Sequence, residues 1–140
     1  MKYLYLFFIS MLPIIIFGQK QKKADAQTSK FRYEIEAFAT GIQGSYQVKV
    51  WSYAKDSNIA IEQAKKNAVH GIIFKGFPNK ERIKGQKALA GNHINLESEK
   101  ADFFKDFFAE GGKYLKYVTL ANNGAIMPGD RIKISKKEYK

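Results

Sequence analysis

The chain predicts an α+β fold, an antiparallel sheet of about four strands with two main helices packed on one face. Three observations carry this. Apolar and polar residues alternate with period two towards both ends of the domain, and helical periodicity occupies the middle. The two kinds of segment also stay apart, in the order ββα, long loop, αββ, which argues against a parallel α/β design.

The first strand is residues 31–39, where Phe31, Tyr33, Ile35 and Ala37 alternate with Arg32, Glu34 and Glu36. The loop TGIQG (40–44) supplies two glycines for positive φ. A second run sets Tyr46, Val48 and Val50 against Gln47, Lys49 and Trp51, so the pair reads as a β-hairpin. At Asp56–Ser57 the period changes, and either residue can cap the helix that follows. On a 3.6-residue wheel Ala60, Ile61, Ala64, Ala68 and Ile72 share one face, with Val69 at its edge. Glu62, Gln63, Lys66, Asn67 and His70 fill the other. The alanines predict a helix lying close on a sheet. Glu62 and Lys66 form an i,i+4 pair in the favoured order. Gly71 loosens the helix end and leaves residues 72–74 free to extend.

Residues 76–95 form a long loop in which Gly76, Pro78, Gly85 and Gly91 interrupt every apolar period. Loops of this length inside a compact domain are usually functional or disordered. Ser98 opens a second helix and Gly111–Gly112 close it. Phe103, Phe104, Phe107 and Phe108 cluster on one arc of that helix, as a core face would. Residues 114–121 and 131–135 alternate as strands, with turns at NNG (122–124) and PGD (128–130).

Ahead of the domain, Lys2 precedes an uncharged run from Tyr3 to Gln19, and Gly18 is a small residue near its end. That is the layout of a secretory signal over residues 1–18. A retained anchor is the competing reading, but the run is short of the ~20 apolar residues of a spanning helix and contains Pro13. Residues 19–30 are polar and aperiodic and read as a flexible leader. Residues 31–140 are the single domain, exported to the periplasm, the cell surface or the medium.

The chain has no cysteine, which excludes disulfides, thiolate metal sites and a thiol nucleophile. Its formal net charge is +11. Inside a cell this would suggest nucleic acid. Outside the cytoplasm the expected partners are a cell-envelope protein, an anionic envelope polymer or lipid headgroups near a membrane, with no nucleic acid.

No motif prescribes a chemistry. G-x-S-x-G and H-E-x-x-H are absent, and GIQGS (41–45) joins two strands instead of opening a helix as a phosphate loop does. His70 and His93 lack an orienting acid close by in sequence and read as solvated. Glu99, Asp102, Asp106 and Glu110 form an acidic stripe on the second helix, read as facing away from the phenylalanines and solvated near basic loops. No calcium-loop spacing accompanies it. Neither metal nor cofactor is expected, and no enzyme. The binding element expected is the basic loop, with Lys75, Lys80, Arg82, Lys84 and Lys87. Trp51 stands beside it as an aromatic that could stack on a sugar ring or seat a partner.

The segments YQVKVWSYAKDSNIAIEQAKKNAVHGIIFKGFP (46–78) and DFFKDFFAEGGKYLKYVTL (102–120) resemble a group of small uncharacterised exported proteins of Bacteroidota. The resemblance covers most of the chain beyond the signal and implies export. Members of that group continue with a further strand and helix past a position like Lys140. The strand pair followed by an alanine-spaced helix is also similar in pattern to small envelope-assembly domains, including the N-terminal domain of flagellar T-ring proteins. Together these readings predict a non-catalytic exported module that binds another cell-envelope component. The alternative is a binder of an anionic glycan or lipid headgroup through the basic loop and Trp51.

Overall fold

The computed structural model describes residues 32–54, 57–121, 125, 127–130, 133–135 and 138–139, with the backbone alone for 57–58, 133–135 and 138–139. The signal and leader (1–30), Phe31, the Asp56 cap, the turn at 122–124 and residues 131–132 of the last predicted strand lie outside them. The class is α+β. Strand β1 (Tyr33–Ala39) pairs antiparallel with β2 (Gln47–Ser52), followed by helix α1 (Ser57–His70) and a π-helical turn, Gly71–Lys75. Two short helices, α2 (Leu96–Glu99) and α3 (Ala101–Phe107), precede a 3-10 helix, Lys113–Tyr117. Strands β3 (Lys133–Ser135) and β4 (Glu138–Tyr139) pair with each other. Among the described residues the strands therefore form two separate two-stranded sheets, not one sheet of four.

The hairpin matches its alternation. Tyr33 faces Ser52, Ile35 faces Val50 and Ala37 faces Val48 on one side, while Glu34–Trp51 and Glu36–Lys49 share the other. The register slips between Ala37 and Ala39, so Phe38 is an extra residue, turned to solvent. Ser45 closes the connecting loop by donating its backbone N–H to the Ile42 carbonyl at 2.8 Å, and Gly44 takes φ +82°.

Helix α1 lies against this hairpin, but not on the face that its alanines predict. The buried residues are Ile59, Gln63, Lys66, Asn67, Val69 and His70, whereas Ile61, Ala64, Ala68 and Ile72 are half-buried. Two physical reasons favour this rotation. Alanine offers little apolar area, while Val69 leads into Ile73 and Phe74, which pack with Phe108 and Tyr114. The hairpin also offers hydroxyls to part of the polar stripe, since Asn67 Nδ2 donates to Ser52 Oγ at 2.8 Å and Tyr33 meets His70, while the buried Asn67 Oδ1 accepts no hydrogen bond among the described residues. Lys66, only 4% exposed, places its Nζ 5.8 Å from the Tyr114 ring centroid. Glu62 pairs with Lys65 at 2.8 Å, an i,i+3 contact one residue short of the anticipated Lys66.

The helix end does not extend at residues 72–74. It widens into the π turn, which Gly76 ends by donating its N–H to the Gly71 carbonyl at 2.7 Å. A Cβ on Gly71 would lie 2.8 Å from Ile35 Cδ1, the tip of a flexible side chain, so its absence lets the hairpin press closely onto the helix.

The second helix breaks at Lys100, whose φ of −114° and ψ of 35° interrupt the ladder. Of the four phenylalanines only Phe108 is buried. Phe104 and Phe107 are half-buried and Phe103 is 56% exposed. Residues 114–121 are not a strand. Tyr114 is 1% exposed, buried beside Val69 of α1, while Leu115, Lys116 and Tyr117 point outward, a spacing that suits a 3-10 turn and not a pleat. The PGD turn forms: Asp130 N–H donates to the Met127 carbonyl at 3.0 Å, and Gly129 takes φ +96°. Among the described residues no helix is long and apolar enough to cross a membrane.

Candidate functional site

Two arrangements of polar side chains stand out, one buried and one exposed. The buried one joins three elements. Tyr33 of β1 places its hydroxyl 2.7 Å from His70 Nδ1, and His70 Nε2 lies 3.3 and 3.4 Å from the two carboxylate oxygens of Glu97 on α2. An ionised carboxylate can only accept, so the imidazole proton sits on Nε2 and Nδ1 must accept from Tyr33. The ring is enclosed by aromatic neighbours, with Tyr33 edge-on at 5.7 Å, Phe74 at 4.8 Å and Phe108 at 6.0 Å. Lys75 from the π turn lies over the Tyr33 ring, its Nζ 3.7 Å from the centroid.

This packing decides the protonation states. Burial, with Lys75 adding to it, lowers the His70 pKa to about 4, so the ring is neutral at pH 7 and its contact with Glu97 is a hydrogen bond, not an ion pair. Burial raises the Tyr33 hydroxyl, with the Glu97 charge adding to it. Burial also raises Glu97 and lowers Lys75. At 4% exposure, with both ring nitrogens engaged, His70 offers no open nitrogen to a substrate. The reading of His70 as solvated is therefore corrected. Its orienting acid is 27 residues away, brought close only by folding. His93 is exposed.

The exposed arrangement is the segment expected to be a loop. Its backbone is organised as a small hairpin. Phe77 and Gln86 exchange N–H to carbonyl bonds at 2.8 and 3.0 Å, and Lys80 and Ile83 do the same at 3.0 and 2.8 Å. Glu81 takes φ +50° in the tight turn between them. Gly85 is needed because a Cβ would lie 2.4 Å from the Phe77 carbonyl oxygen. The small hairpin is fastened to the first one by Tyr46, whose hydroxyl donates to Gln86 Oε1 at 2.7 Å and whose ring meets Phe77 edge-on at 5.9 Å. Leu89 and Ala90 donate backbone N–H groups to the Ile72 and Ile73 carbonyls, tying the segment to the π turn.

The six residues expected to bind divide into three groups. Lys80 pairs with Glu36 at 3.1 Å, and Glu36 stands opposite Lys49, whose Nζ lies 4.3 Å from the half-buried Trp51 ring. Trp51, Lys49, Glu36 and Lys80 thus form one continuous row on the outer strand face. Arg82, Lys84 and Lys87 are exposed, and among the described residues none of them takes part in an ion pair. Lys75 leaves the group and joins the Tyr33–His70 arrangement.

No family model matches this chain, and no curated protein or solved structure does. Among the described residues no cluster of three His, Asp or Glu side chains is placed to hold a metal ion. The buried arrangement can tie β1, α1 and α2 together and respond to protons. The exposed one can present positive charge on a shaped backbone. Sequence reasoning took Tyr33 only as a strand residue and joined neither it nor Glu97 to His70. The available signal was the polar stripe Gln63, Lys66, Asn67 and His70, flanked four residues on by Phe74, which is unusual company for a solvated face.

Proposed function

We propose that the chain is a non-catalytic exported module that binds another component of the cell envelope, with the basic hairpin as its contact surface. The observation that supports this reading is the presentation of Arg82, Lys84 and Lys87: exposed, without an ion-pair partner among the described residues, and held on a backbone closed by four main-chain hydrogen bonds. A shaped backbone lowers the ordering cost of binding, and free guanidinium and ammonium groups offer charge-assisted bonds to carboxylate or phosphate. Export rests on the signal-like run over residues 1–18. The absence of catalysis is inferred from the closed environment of His70, the one histidine with an orienting acid.

An anionic glycan or lipid headgroup is the second reading, favoured by the row of Trp51, Lys49 and Lys80 on the outer strand face. The two are separated by Trp51→Ala, which should weaken attachment to isolated envelope material only where a glycan or headgroup packs on that ring. Polyanion attachment should fall steeply with ionic strength and with Arg82→Gln, Lys84→Gln, Lys87→Gln, because exposed charges are screened within ~10 Å at 0.1 M salt. Attachment indifferent to both salt and the triple variant would sink the reading.

A further inference from the structure

Helix α3 and the 3-10 helix that follows leave an aromatic face open. Phe103 stacks on Phe107 at 5.7 Å with 18° between planes, and Phe107 lies 6.0 Å from Tyr117, which is 72% exposed. Leu120, a few residues on, is also exposed. Acids meet this face at Phe103, and do not lie wholly on the far side of the helix as expected. Asp102 and Asp106 share α3 with Phe103 and Phe107, Glu110 follows Phe107 by three residues, and Glu99 lines a hollow with Asp102, Lys100 and Phe103. Among the described residues none of these four carboxylates takes part in an ion pair. Among the described residues no ion pair joins this stripe to the chain's own basic segment, where Lys80 reaches Glu36.

We infer that this acid-rimmed aromatic face is a docking surface for the basic hairpin of a second copy of the chain. Charge complementarity selects the occupant. Residues 97–110 hold five acidic side chains and two basic, in a chain whose formal net charge is +11, so this is a place where another copy is attracted and not repelled. The hairpin answers it with Arg82 and Lys84 on either side of Ile83 and, like the face, carries charges left unpaired in the monomer. A guanidinium can lie on the Phe103 or Tyr117 ring while bonding Asp102 or Asp106, a combination open to arginine because its planar, weakly hydrated head both stacks and forks. Ile83 adds an apolar contact in the same footprint. The two patches differ, so the contact is head-to-tail. Each association leaves one hairpin and one aromatic face free, and copies add until a ring closes or a filament grows.

Two half-blocked variants test this. Asp102→Asn with Phe103→Ser removes the docking face and keeps the hairpin; Arg82→Gln with Lys84→Gln does the reverse. All four positions are exposed, so both variants should fold, which circular dichroism would verify. In sedimentation at low salt the unaltered chain should associate progressively with concentration, and weaken at least about tenfold towards 1 M salt, where the screening length falls to ~3 Å. Each variant alone should stay monomeric, and their mixture should stop at a 1:1 dimer. The docking-face variant should still bind envelope polyanion, which separates this contact from the function proposed above. A monomeric unaltered chain at low salt overturns the inference, as does association that either variant leaves intact. A monomeric chain whose Phe103 face is shielded from surface labelling also overturns it, and assigns the face to the chain's own remaining lysines.

Discussion

The Tyr33 hydroxyl lies 2.7 Å from His70 Nδ1 and donates to it in the tautomer that the Glu97 carboxylate selects by accepting from Nε2. One imidazole thereby joins the first strand, the end of α1 and a helix that begins 26 residues later. The bond is buried, so its partners cannot exchange it for water without opening the fold.

Removing the Tyr33 hydroxyl should expose that dependence. Tyr33→Phe leaves the ring in place but strands Nδ1 without its donor, at a cost of about 1–3 kcal/mol. Urea denaturation would measure it. A change below ~0.5 kcal/mol would mean that the ring alone, not the hydrogen bond, holds the helix.

Acid should weaken the fold through His70. Its pKa of about 4 in the fold lies below the ordinary value of 6.5, so between those two pH values the unfolded chain takes up a proton that the folded chain refuses. Stability should therefore be level above about pH 6.5 and fall as pH drops towards 4, by on the order of 2–3 kcal/mol. Glu97, raised by burial, acts with the opposite sign in the carboxylate range and offsets part of the loss. Histidine titration by NMR together with denaturation midpoints across this window checks the sign. An imidazole titrating near 6.5 would contradict the burial argument.

The phenylalanines should separate by position. Phe108→Ala removes a buried ring that touches Tyr114 and should cost about 3–5 kcal/mol. Phe103→Ala, at an exposed position, should cost less than ~1 kcal/mol. Equal costs at the two sites would mean that Phe103 is covered in solution.

Gly71→Ala tests the contact between strand and helix. The new methyl would meet Ile35 Cδ1 and the Tyr33 ring, and overpacking of this kind costs typically ~1–3 kcal/mol. Trimming Ile35 to Val in the same chain should recover part of that loss. No recovery would place the strain elsewhere.

Neutralising Arg82, Lys84 and Lys87 together should leave stability within about 0.5 kcal/mol, as for ordinary surface changes, because these side chains make no ion pair among the described residues. Lys80→Met, by contrast, removes the contact with Glu36, and should cost up to ~1 kcal/mol, the range of a half-exposed pair. Matching losses in both variants would indicate that the hairpin is held by its charge and not by its backbone bonds.

Residues 33–52 were legible in the sequence because alternation and a glycine-bearing turn specify a hairpin from neighbours alone, and Tyr33 still faces Ser52 as that pattern requires. The π turn and the small hairpin at residues 77–86 were not. Their determinants are Gly71, which yields to Ile35, and Gly85, which yields to the Phe77 carbonyl, and neither approach shows in a local pattern. The rotation of α1 was the largest surprise. A wheel ranks faces by hydrophobicity, but the face buried is the one for which the rest of the fold supplies partners. Tyr33, Ser52, Phe108 and Tyr114 supply them for His70, Asn67 and Val69. Of the candidate residues, Arg82, Lys84 and Lys87 were legible as exposed, since unpaired long cations are costly to bury, whereas Lys66, of the same kind, is 4% exposed because the fold covers it. That Lys80 would meet Glu36, that Lys75 would lie over Tyr33, and that His70 would be neutral between Tyr33 and Glu97 was decided by the tertiary structure. Each of these depends on a distance across the fold, and electrostatic and desolvation energies follow distance and burial, which a sequence does not contain.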